Sequence, residues 1–408
     1  MLYFKHAELA KRYNVSLRTV HNWIDATKLG KLDLDLHVEG NKTYIANTAR
    51  NIASITKVVE GRRKYRNKIA VKVVKPKSEF YKIYNTHQIY DIATNLEVHH
   101  EIPRQYNYFN GGAGHWDKYA ERLAIDEEPN LVNSTIRLLK SNQGYIDDLL
   151  SRFKRINVID VGVGNAYPVK DLLSHLLSQN KLGRYIALDI SPAVLDIART
   201  NIEQWFGDKV AFEGYEHDIN YDRFSDLLVQ EYARTDAKDT VNLVLLLGGT
   251  LSNMRAPDGG YKIVHDSMGV NDYLVHSTKL DTEATRRYFD FDLQPGETRL
   301  AAIHGLVVDL LNIDKSFYKV EMGYDPKLRQ RFERIRLEVS LSIKFEFESG
   351  ERSVELNKGD AILTWRGLQQ TAADVHEQFA RNDFDLLHSS QTDNREYILT
   401  VSRVKCDR

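Results

Sequence analysis

The stretch that decides the fold is Arg155-Ile-Asn-Val-Ile-Asp-Val-Gly-Val-Gly-Asn-Ala166. Residues 156–161 form a short apolar strand, and a helical pattern follows over residues 168–177. Gly162 and Gly164 lie in the turn between them, where glycine lets the backbone approach a ligand closely beside the start of a helix. The stretch therefore predicts a strand, turn and helix that bind a ligand at the turn.

Two acidic residues stand at the ends of the next two predicted strands. Residues 185–189 end in Asp189, whose carboxylate can accept both hydroxyl groups of a ribose. Residues 210–219 place Asp218 and Ile219 where an adenine amino group would lie. Both acids could instead simply cap helices. Their order after the glycine turn favours a cofactor that contains adenosine.

The strands that follow distinguish two cofactor-binding folds. Residues 241–247 and 272–278 are predicted as the fourth and fifth strands, and residues 384–389 and 396–402 as a terminal antiparallel hairpin. Alternating strands and helices predict an α/β fold with a mostly parallel sheet and helices on both faces. The hairpin resembles that of the seven-stranded, Rossmann-like class I methyltransferase fold, whose cofactor is S-adenosylmethionine (SAM). A nicotinamide-dependent dehydrogenase is the main alternative.

A basic N-terminal segment contains a helix-turn-helix pattern. Residues 1–80 contain 17 Lys and Arg against 7 Asp and Glu, although the whole chain has 56 against 57. Such asymmetry indicates an anionic partner for the basic end. Residues 8–13 and 17–24 are predicted helices, with Ser16 as the N-cap of the second, and residues 32–45 are a predicted wing. The segment resembles the winged helix-turn-helix of MerR and excisionase-type proteins.

This second resemblance implies a DNA contact near the exposed start of the second helix, the end that reaches base edges in this motif. The side chains that it implies are Arg18, Thr19, His21 and Asn22. DNA, bound through residues 1–68, is therefore a predicted partner. The alternative is a small helical module for dimerisation or docking whose basic residues are solvated. A homodimer is compatible with both interpretations.

Patterns along the chain divide it into four parts. They are a winged helix-turn-helix domain (1–68), a linker and helical cap that contributes to the acceptor pocket (69–145), a methyltransferase core (146–281 and 352–408) and an inserted α+β acceptor-binding subdomain (282–351). In the cap, residues 105–118 combine three glycines with aromatic and amide side chains. This segment is predicted either to close over a small ligand or to be an ordinary surface loop.

Composition excludes several classes of protein. A hydrophobic fraction of 42% excludes disorder as the main state, and the single cysteine, Cys406, cannot form an internal disulfide. The histidines show no metal-ligand spacing, so we predict no metal cofactor. The N-terminus lacks the apolar stretch of a secretory signal, and no apolar run approaches the roughly 20 residues that span a bilayer. We therefore expect a cytoplasmic protein without membrane insertion.

Four further segments carry a family resemblance: Leu188-Asp-Ile-Ser191, Leu247-Gly-Gly-Thr-Leu-Ser-Asn253, Thr278-Lys-Leu-Asp281 and Arg334-Ile-Arg-Leu-Glu-Val339. They resemble the histidine-specific N-alpha-methyltransferases of ergothioneine biosynthesis, over about residues 156–403. The resemblance implies SAM as the cofactor and a class I methyltransferase fold. The cofactor contacts that we predict with it are Gly162, Gly164, Lys170, Asp189, Asp218, Ile219 and Gly248. Lys170 lies two residues later than the family spacing.

The same resemblance implies where the methyl acceptor binds. Asn253 matches the asparagine that holds the amino acid's amine, and Tyr288 resembles a tyrosine of the acceptor site; both are predicted to be catalytic and substrate-binding. Arg336, Glu338 and Ser340 are expected to share one strand face, by the two-residue period, as a polar acceptor wall. Arg336 is the predicted partner of a substrate carboxylate. The alternative for Arg336 and Glu338 is a solvated cross-strand ion pair.

The sequence thus predicts a SAM-dependent methyltransferase that acts on the amine of a small molecule, such as histidine or a related amino acid. The main alternative is a DNA-binding transcription regulator that senses SAM or another metabolite. Methylation of nucleic-acid bases is disfavoured, because the place of an Asp-Pro-Pro-Tyr motif reads Gly248-Gly-Thr-Leu-Ser-Asn253. Cys406, two residues from the end, cannot act as the nucleophile of a cytosine methyltransferase.

Overall fold

The computed structural model describes residues 3–13, 15–40, 42–229, 237–287 and 298–405. The chain divides into two compact units, one of residues 1–73 with 339–341 and one of residues 74–338 with 342–408. Within the described ranges, no helix has both the length and the apolar character that crossing a bilayer requires.

The first unit combines helices with a small antiparallel sheet. Its described elements are β1 (Tyr3–Phe4), α1 (His6–Tyr13), α2 (Leu17–Lys28), β2 (Leu36–Glu39), β3 (Lys42–Ala46), α3 (Ala49–Ala70) and β4 (Val71–Val74), the last at the unit boundary. β3 lies between β1 and β2 and is antiparallel to both. The Ser16 hydroxyl accepts a hydrogen bond from the Thr19 amide and caps α2. The hairpin of β2 and β3 begins at Leu36, four residues later than the predicted wing.

The second unit is built on a seven-stranded sheet. The strands described after residue 150 are β5 (Arg155–Val161), β6 (Leu182–Asp189), β7 (Phe212–Glu216), β8 (Thr240–Leu246), β9 (Tyr273–Lys279), β10 (Tyr318–Asp325), β11 (Gln330–Leu337), β12 (Ser340–Phe347), β13 (Gly350–Leu356), β14 (Ala361–Leu368), β15 (Phe384–Gln391) and β16 (Tyr397–Val404).

The order of the large sheet is β15-β16-β9-β8-β5-β6-β7. The strands from β5 to β9 run parallel, whereas β16 is antiparallel to both β9 and β15. This arrangement confirms the predicted fold class, a Rossmann-like sheet that ends in an antiparallel hairpin.

Helices cover both faces of the large sheet. The helices described after residue 79 are α4 (Phe80–Ile83), α5 (Thr86–His99), α6 (Gly112–Ile125), α7 (Leu131–Ser141), α8 (Gln143–Leu150), α9 (Lys170–Ser178), α10 (Pro192–Phe206), α11 (Pro257–Ser267), α12 (Glu283–Arg287), α13 (Ala302–Leu310) and α14 (Ala372–Arg381). Leu243 and Leu245 of β8 pack in the core with α7 to α10, and Val244 and Leu246 in the core with α11 and α14. Apolar residues therefore run continuously along the strand, because both of its faces are buried.

Outside the large sheet, β10, β11 and β14 form a three-stranded sheet. β11 lies between β10 and β14, so β14, from the segment assigned to the methyltransferase core, pairs with a strand of the predicted acceptor subdomain. The glycine-containing segment 105–118 is mostly helical: a 3-10 helix at Arg104–Tyr108 precedes α6. It is therefore not an ordinary surface loop, and Gln105, Tyr108 and Trp116 within it line a cavity. Closure of this segment over a small ligand stays a prediction.

The packing of β8 gives a stability prediction. Leu243→Ala should lower the free energy of unfolding by about 2–5 kcal/mol, because Leu243 is fully buried between the sheet and its helices. Urea unfolding followed by tryptophan fluorescence measures this change. Val270→Ala, at a 58% exposed position of the same unit, is the control and should change stability by about 0.5 kcal/mol or less. Equal effects of the two substitutions would contradict the burial of β8.

Candidate active site

A cavity of about 400 Å³ opens at the carboxyl ends of the parallel strands. Its lining includes residues that directly follow β5, β6, β7 and β8. β6 and β7 follow β5 on one side of the sheet, whereas β9 and β16 follow β8 on the other side. A crevice forms between two neighbouring strands whose connections lead in opposite directions, and α/β sheets bind their ligands there. The volume lies within the range of small-molecule sites.

The turn after β5 requires glycine. Gly162 has a φ of +72°, and a Cβ atom there would lie 2.7 Å from the Thr250 hydroxyl oxygen. The Gly162 amide donates a hydrogen bond to the Leu188 carbonyl of β6 at 2.8 Å. Gly164, at φ +57°, also lines the cavity beside Trp116. The turn thus presents bare backbone to a ligand between the ends of three strands.

Asp189 ends β6 inside the cavity. Its carboxylate accepts the Ser191 amide at 3.1 Å. Burial raises the pKa of Asp189 to about 6, although hydrogen bonds from the amides of Ser191, Gly164 and Ile190 oppose the rise. A ligand that donates two hydroxyl groups would stabilise the ionised carboxylate.

Asp218 and Ile219 line the cavity just beyond β7. One Asp218 carboxylate oxygen accepts the Asn220 amide at 2.9 Å and the Asn220 side chain at 2.6 Å, and burial raises the pKa of Asp218. Asp160, the next-to-last residue of β5, also faces the cavity and accepts the Tyr185 hydroxyl at 3.0 Å. Burial raises its pKa to about 7. This end of the cavity therefore holds several carboxyl groups and suits a cationic cofactor.

Asn253 lies across the cavity, in the segment after β8. Its amide oxygen accepts a hydrogen bond from the Trp365 indole nitrogen of β14 at 3.1 Å. The indole N–H is only a donor, so this contact fixes which side of the Asn253 amide is oxygen. A second lone pair of that oxygen remains for an acceptor amine. Gly248, at φ +85°, lines the cavity in the same segment.

Several predicted site residues do not line the cavity. Lys170 points its ammonium at the Trp205 ring, 4.7 Å from the centroid. Arg336 pairs with Glu321 and donates to the Gly359 carbonyl at 2.8 Å, while Glu338 pairs with Lys319 at 3.3 Å. Tyr288, predicted to be catalytic, lies outside the described residues.

The predicted wall of Arg336, Glu338 and Ser340 fails for a physical reason. β11 ends at Leu337 and the chain bends at residues 338–339, so Ser340 begins β12 in another sheet. The two-residue period therefore does not extend across the three residues. The alternative for Arg336 and Glu338, a solvated cross-strand ion pair, is confirmed: Arg336 pairs with Glu321 and Glu338 pairs with Lys319, both of the neighbouring β10.

The face of β11 opposite to Arg336 contributes to the lining of the cavity. Arg331 lines it, and Glu333 lies fully buried two residues further along. Ile335 and Leu337 are also buried. Because alternate residues of a strand share a face, these two apolar residues show that Arg331 and Glu333 lie on the inward face. That alternation is the signal that could have identified Arg331 from the sequence. Arg104 and Trp365 also line the cavity, from segments that no sequence motif connects to it.

The residues present fit SAM. The glycine turn, Asp189 and Asp218 offer bare backbone, a carboxylate that can accept two ribose hydroxyls and a third-strand acid in one cavity. Among the described residues, no group of three or more His, Cys, Asp or Glu side chains could hold a metal ion.

Comparison with known proteins identifies a family match. Residues 89–404 match the family described as "Histidine-specific methyltransferase, SAM-dependent". No curated protein matches the chain in a sequence search.

Solved structures with similar folds include several methyltransferases. A S-adenosylmethionine-dependent methyltransferase from Clostridium acetobutylicum matches with a TM-score of 0.40 and 10% identity, over 71% of this chain and 99% of that one. The PH0226 protein from Pyrococcus horikoshii matches at 0.39 and 12%, over 71% and 97%. The CcbJ methyltransferase from Streptomyces caelestis matches at 0.36 and 14%, over 72% and 98%. Family membership rests on the sequence match.

The position of Asp189 gives a prediction for cofactor binding. Its carboxyl group gains a proton as the pH falls through about 6, and the ionised form that accepts two hydroxyls best is then lost. We expect the affinity for S-adenosylhomocysteine, measured by calorimetry, to be nearly constant above pH 7. Below pH 6 it should fall by up to about tenfold per pH unit.

Asp189→Asn should bind more weakly at pH 8 and lose most of this pH dependence. Asp196→Asn, at an exposed position of α10, is the matched control and should retain the wild-type profile. An unchanged slope in Asp189→Asn would assign the dependence to another group, such as Asp160.

Proposed function

Because the chain belongs to the family of histidine-specific, SAM-dependent methyltransferases, we propose that Asn253 holds an amino acid's amine for methylation. The chain is a SAM-dependent methyltransferase with a class I fold, and it acts on the amine of a small molecule. Its proposed acceptor is histidine or a related amino acid. The observation that carries the assignment of Asn253 is its contact with Trp365 inside the cavity.

The proposed cofactor contacts and the proposed amine contact, Asn253, line the same cavity. SAM, when bound, supplies an electrophilic methyl group. Asp189 and Asp218 line one part of the cavity and are the proposed cofactor contacts, together with Gly162, Gly164, Ile219 and Gly248. Lys170 is left out of this proposal, since its ammonium contacts Trp205.

Methyl transfer depends mainly on orientation. An ammonium has no lone pair, so only an unprotonated amine can attack the methyl group. The fixed oxygen of Asn253 accepts a hydrogen bond from one N–H of that amine. This contact orients the amine so that its nitrogen lone pair faces the methyl group. Trp365 limits rotation of the Asn253 side chain and supplies an apolar wall that excludes water.

A direct test incubates the full chain with SAM and a mixture of amino acids and their decarboxylated amines. Mass spectrometry should detect one or more products that are heavier by a methyl group. Asn253→Ala should lower kcat/KM for the amine by about 10- to 100-fold, because one hydrogen bond to the acceptor is lost. Its affinity for S-adenosylhomocysteine should stay at the wild-type level. Wild-type turnover in Asn253→Ala would exclude this residue from the acceptor site.

We also propose that the first unit binds DNA through α2. Val20, Trp23 and Ile24 are buried, which leaves Arg18, His21 and Asn22 exposed near the capped start of the helix, with Thr19 half-buried among them. The hairpin of β2 and β3 is a candidate wing. A homodimer would present two such helices to a two-fold operator. DNA, SAM and a metabolite amine are all intracellular, which favours a cytoplasmic location.

The DNA proposal is tested by selecting bound sequences from a random duplex library with the full chain. Arg18→Ala with Asn22→Ala should weaken binding to an enriched sequence by at least about tenfold. Lys28→Ala removes a charge at the far end of the same helix and is the matched control, which should bind almost normally. Failure to enrich any sequence would favour an assembly role, which sedimentation would detect as a dimer.

A further inference from the structure

An indole N–H stands beside the glycine turn. Trp116 of α6 lines the cavity, and its Nε1 lies 3.3 Å from the position that a Cβ atom at Gly164 would take. Its ring contacts those of Tyr108 and Tyr119, at 6.3 and 6.0 Å between centroids. Within the part of the chain that the structure describes, no group accepts a hydrogen bond from this N–H. Buried indoles usually have such an acceptor, so a bound ligand is expected to supply one.

The chain around Trp116 holds it in place. The next residue, Asp117, accepts a hydrogen bond from the Asn165 side chain at 3.0 Å, which ties α6 to the glycine turn. The Asn165 carbonyl accepts the Asn201 side chain of α10, also at 3.0 Å. The Trp116 ring packs against a small apolar cluster of α6 and α7, which consists of Ala120, Leu123 and Val132. The donor therefore has a fixed position relative to a cofactor bound at the turn.

The neighbouring groups indicate which part of SAM meets this donor. The Gly164 amide donates to Asp189, the proposed ribose contact, and Asp218 is the proposed adenine contact. The amino-acid part of SAM remains, and it carries an ammonium and a carboxylate. Asp160 lines the same end of the cavity and matches the ammonium, but its negative charge disfavours a carboxylate. An indole N–H only donates and a carboxylate only accepts, so these two groups match.

We propose that the Trp116 indole N–H donates a hydrogen bond to the carboxylate of SAM and makes the enzyme selective for a cofactor that carries this group. Lys170, the basic residue predicted to contact the cofactor, does not supply this bond, because its ammonium lies against Trp205. The inference rests on the proposed cofactor contacts of the same cavity. It does not depend on the identity of the methyl acceptor.

The test compares S-adenosylhomocysteine with its decarboxylated analogue, 5′-(3-aminopropyl)thioadenosine, by calorimetry on the full chain. The wild type should bind S-adenosylhomocysteine at least about tenfold more tightly, because it alone offers a charged acceptor to the indole. Trp116→Phe keeps an aromatic ring but lacks the N–H. Its affinity for S-adenosylhomocysteine should fall by about tenfold or more, whereas its affinity for the analogue should change by less than about twofold.

Trp205→Phe is the matched control for loss of a tryptophan. Trp205 packs against the same core as the strands of the sheet but is not among the residues that line the cavity. Both ligands should bind this variant as they bind the wild type. Wild-type affinity of Trp116→Phe for the decarboxylated analogue would show that this variant is folded.

A second measurement needs no substitution at Trp116. The chain has four tryptophans, so labelling them with ¹⁵N gives four indole N–H resonances. One of them should move downfield with S-adenosylhomocysteine and much less with the analogue, because the bond to the carboxylate deshields the proton. Trp116→Phe assigns that resonance. If this variant does not fold, single replacement of each of the other three tryptophans by phenylalanine assigns it by elimination.

Two results would overturn the inference. One is an equal loss of affinity for both ligands in Trp116→Phe, which would place the N–H against the ribose or the adenine. The other is a set of indole resonances in which the Trp116 signal responds equally to both ligands, or wild-type affinity for S-adenosylhomocysteine in Trp116→Phe. In these cases binding still supports the proposed cofactor contacts. If the wild type binds neither ligand, the proposed cofactor site fails together with the inference.

Discussion

The close approach of Gly162 to Thr250 is the constraint on which the site depends. Any side chain at position 162 would meet the Thr250 hydroxyl, while the Gly162 amide bonds the carbonyl of Leu188. The ends of β5, β6 and the segment after β8 are thereby held together at one point. The cavity opens there, and Asp189 and Asn253 both line it. A side chain at position 162 would push apart the segments that carry these two functional groups.

The two ends of the cavity are built on different principles. The cofactor end uses residues that immediately follow parallel strands, which the sheet places side by side. The acceptor end takes Arg104 from a 3-10 helix, Arg331 from β11 and Trp365 from β14. Carboxyl groups of Asp160, Asp189 and Asp218 line the first end and suit a cationic cofactor.

The sequence predicts the cofactor end far better than the acceptor end. A strand, a glycine turn and a terminal acid are local patterns, so the mostly parallel sheet with its terminal hairpin and the positions of Gly162, Asp189 and Asp218 in the cavity could be anticipated. Arg336, Glu338 and Ser340 could not be placed correctly, because the prediction assumed a continuous strand where the chain bends after Leu337. Lys170 misses the cavity because its side chain turns toward Trp205, a long-range contact. Arg104 and Trp365 reach the site only through tertiary packing, which no spacing in the sequence records.

Buried hydrogen bonds that join Arg104, His304 and Glu333 constrain how this part of the cavity lining can change during evolution. Replacing Arg104 alone removes the donor to Nε2 of His304, and replacing Glu333 alone removes the acceptor of its Nδ1–H. Either change costs about 1–3 kcal/mol for a buried hydrogen bond. The three positions are therefore expected to change together or not at all among related chains. A lineage that replaced all three with apolar side chains at once would leave none of these three polar groups behind.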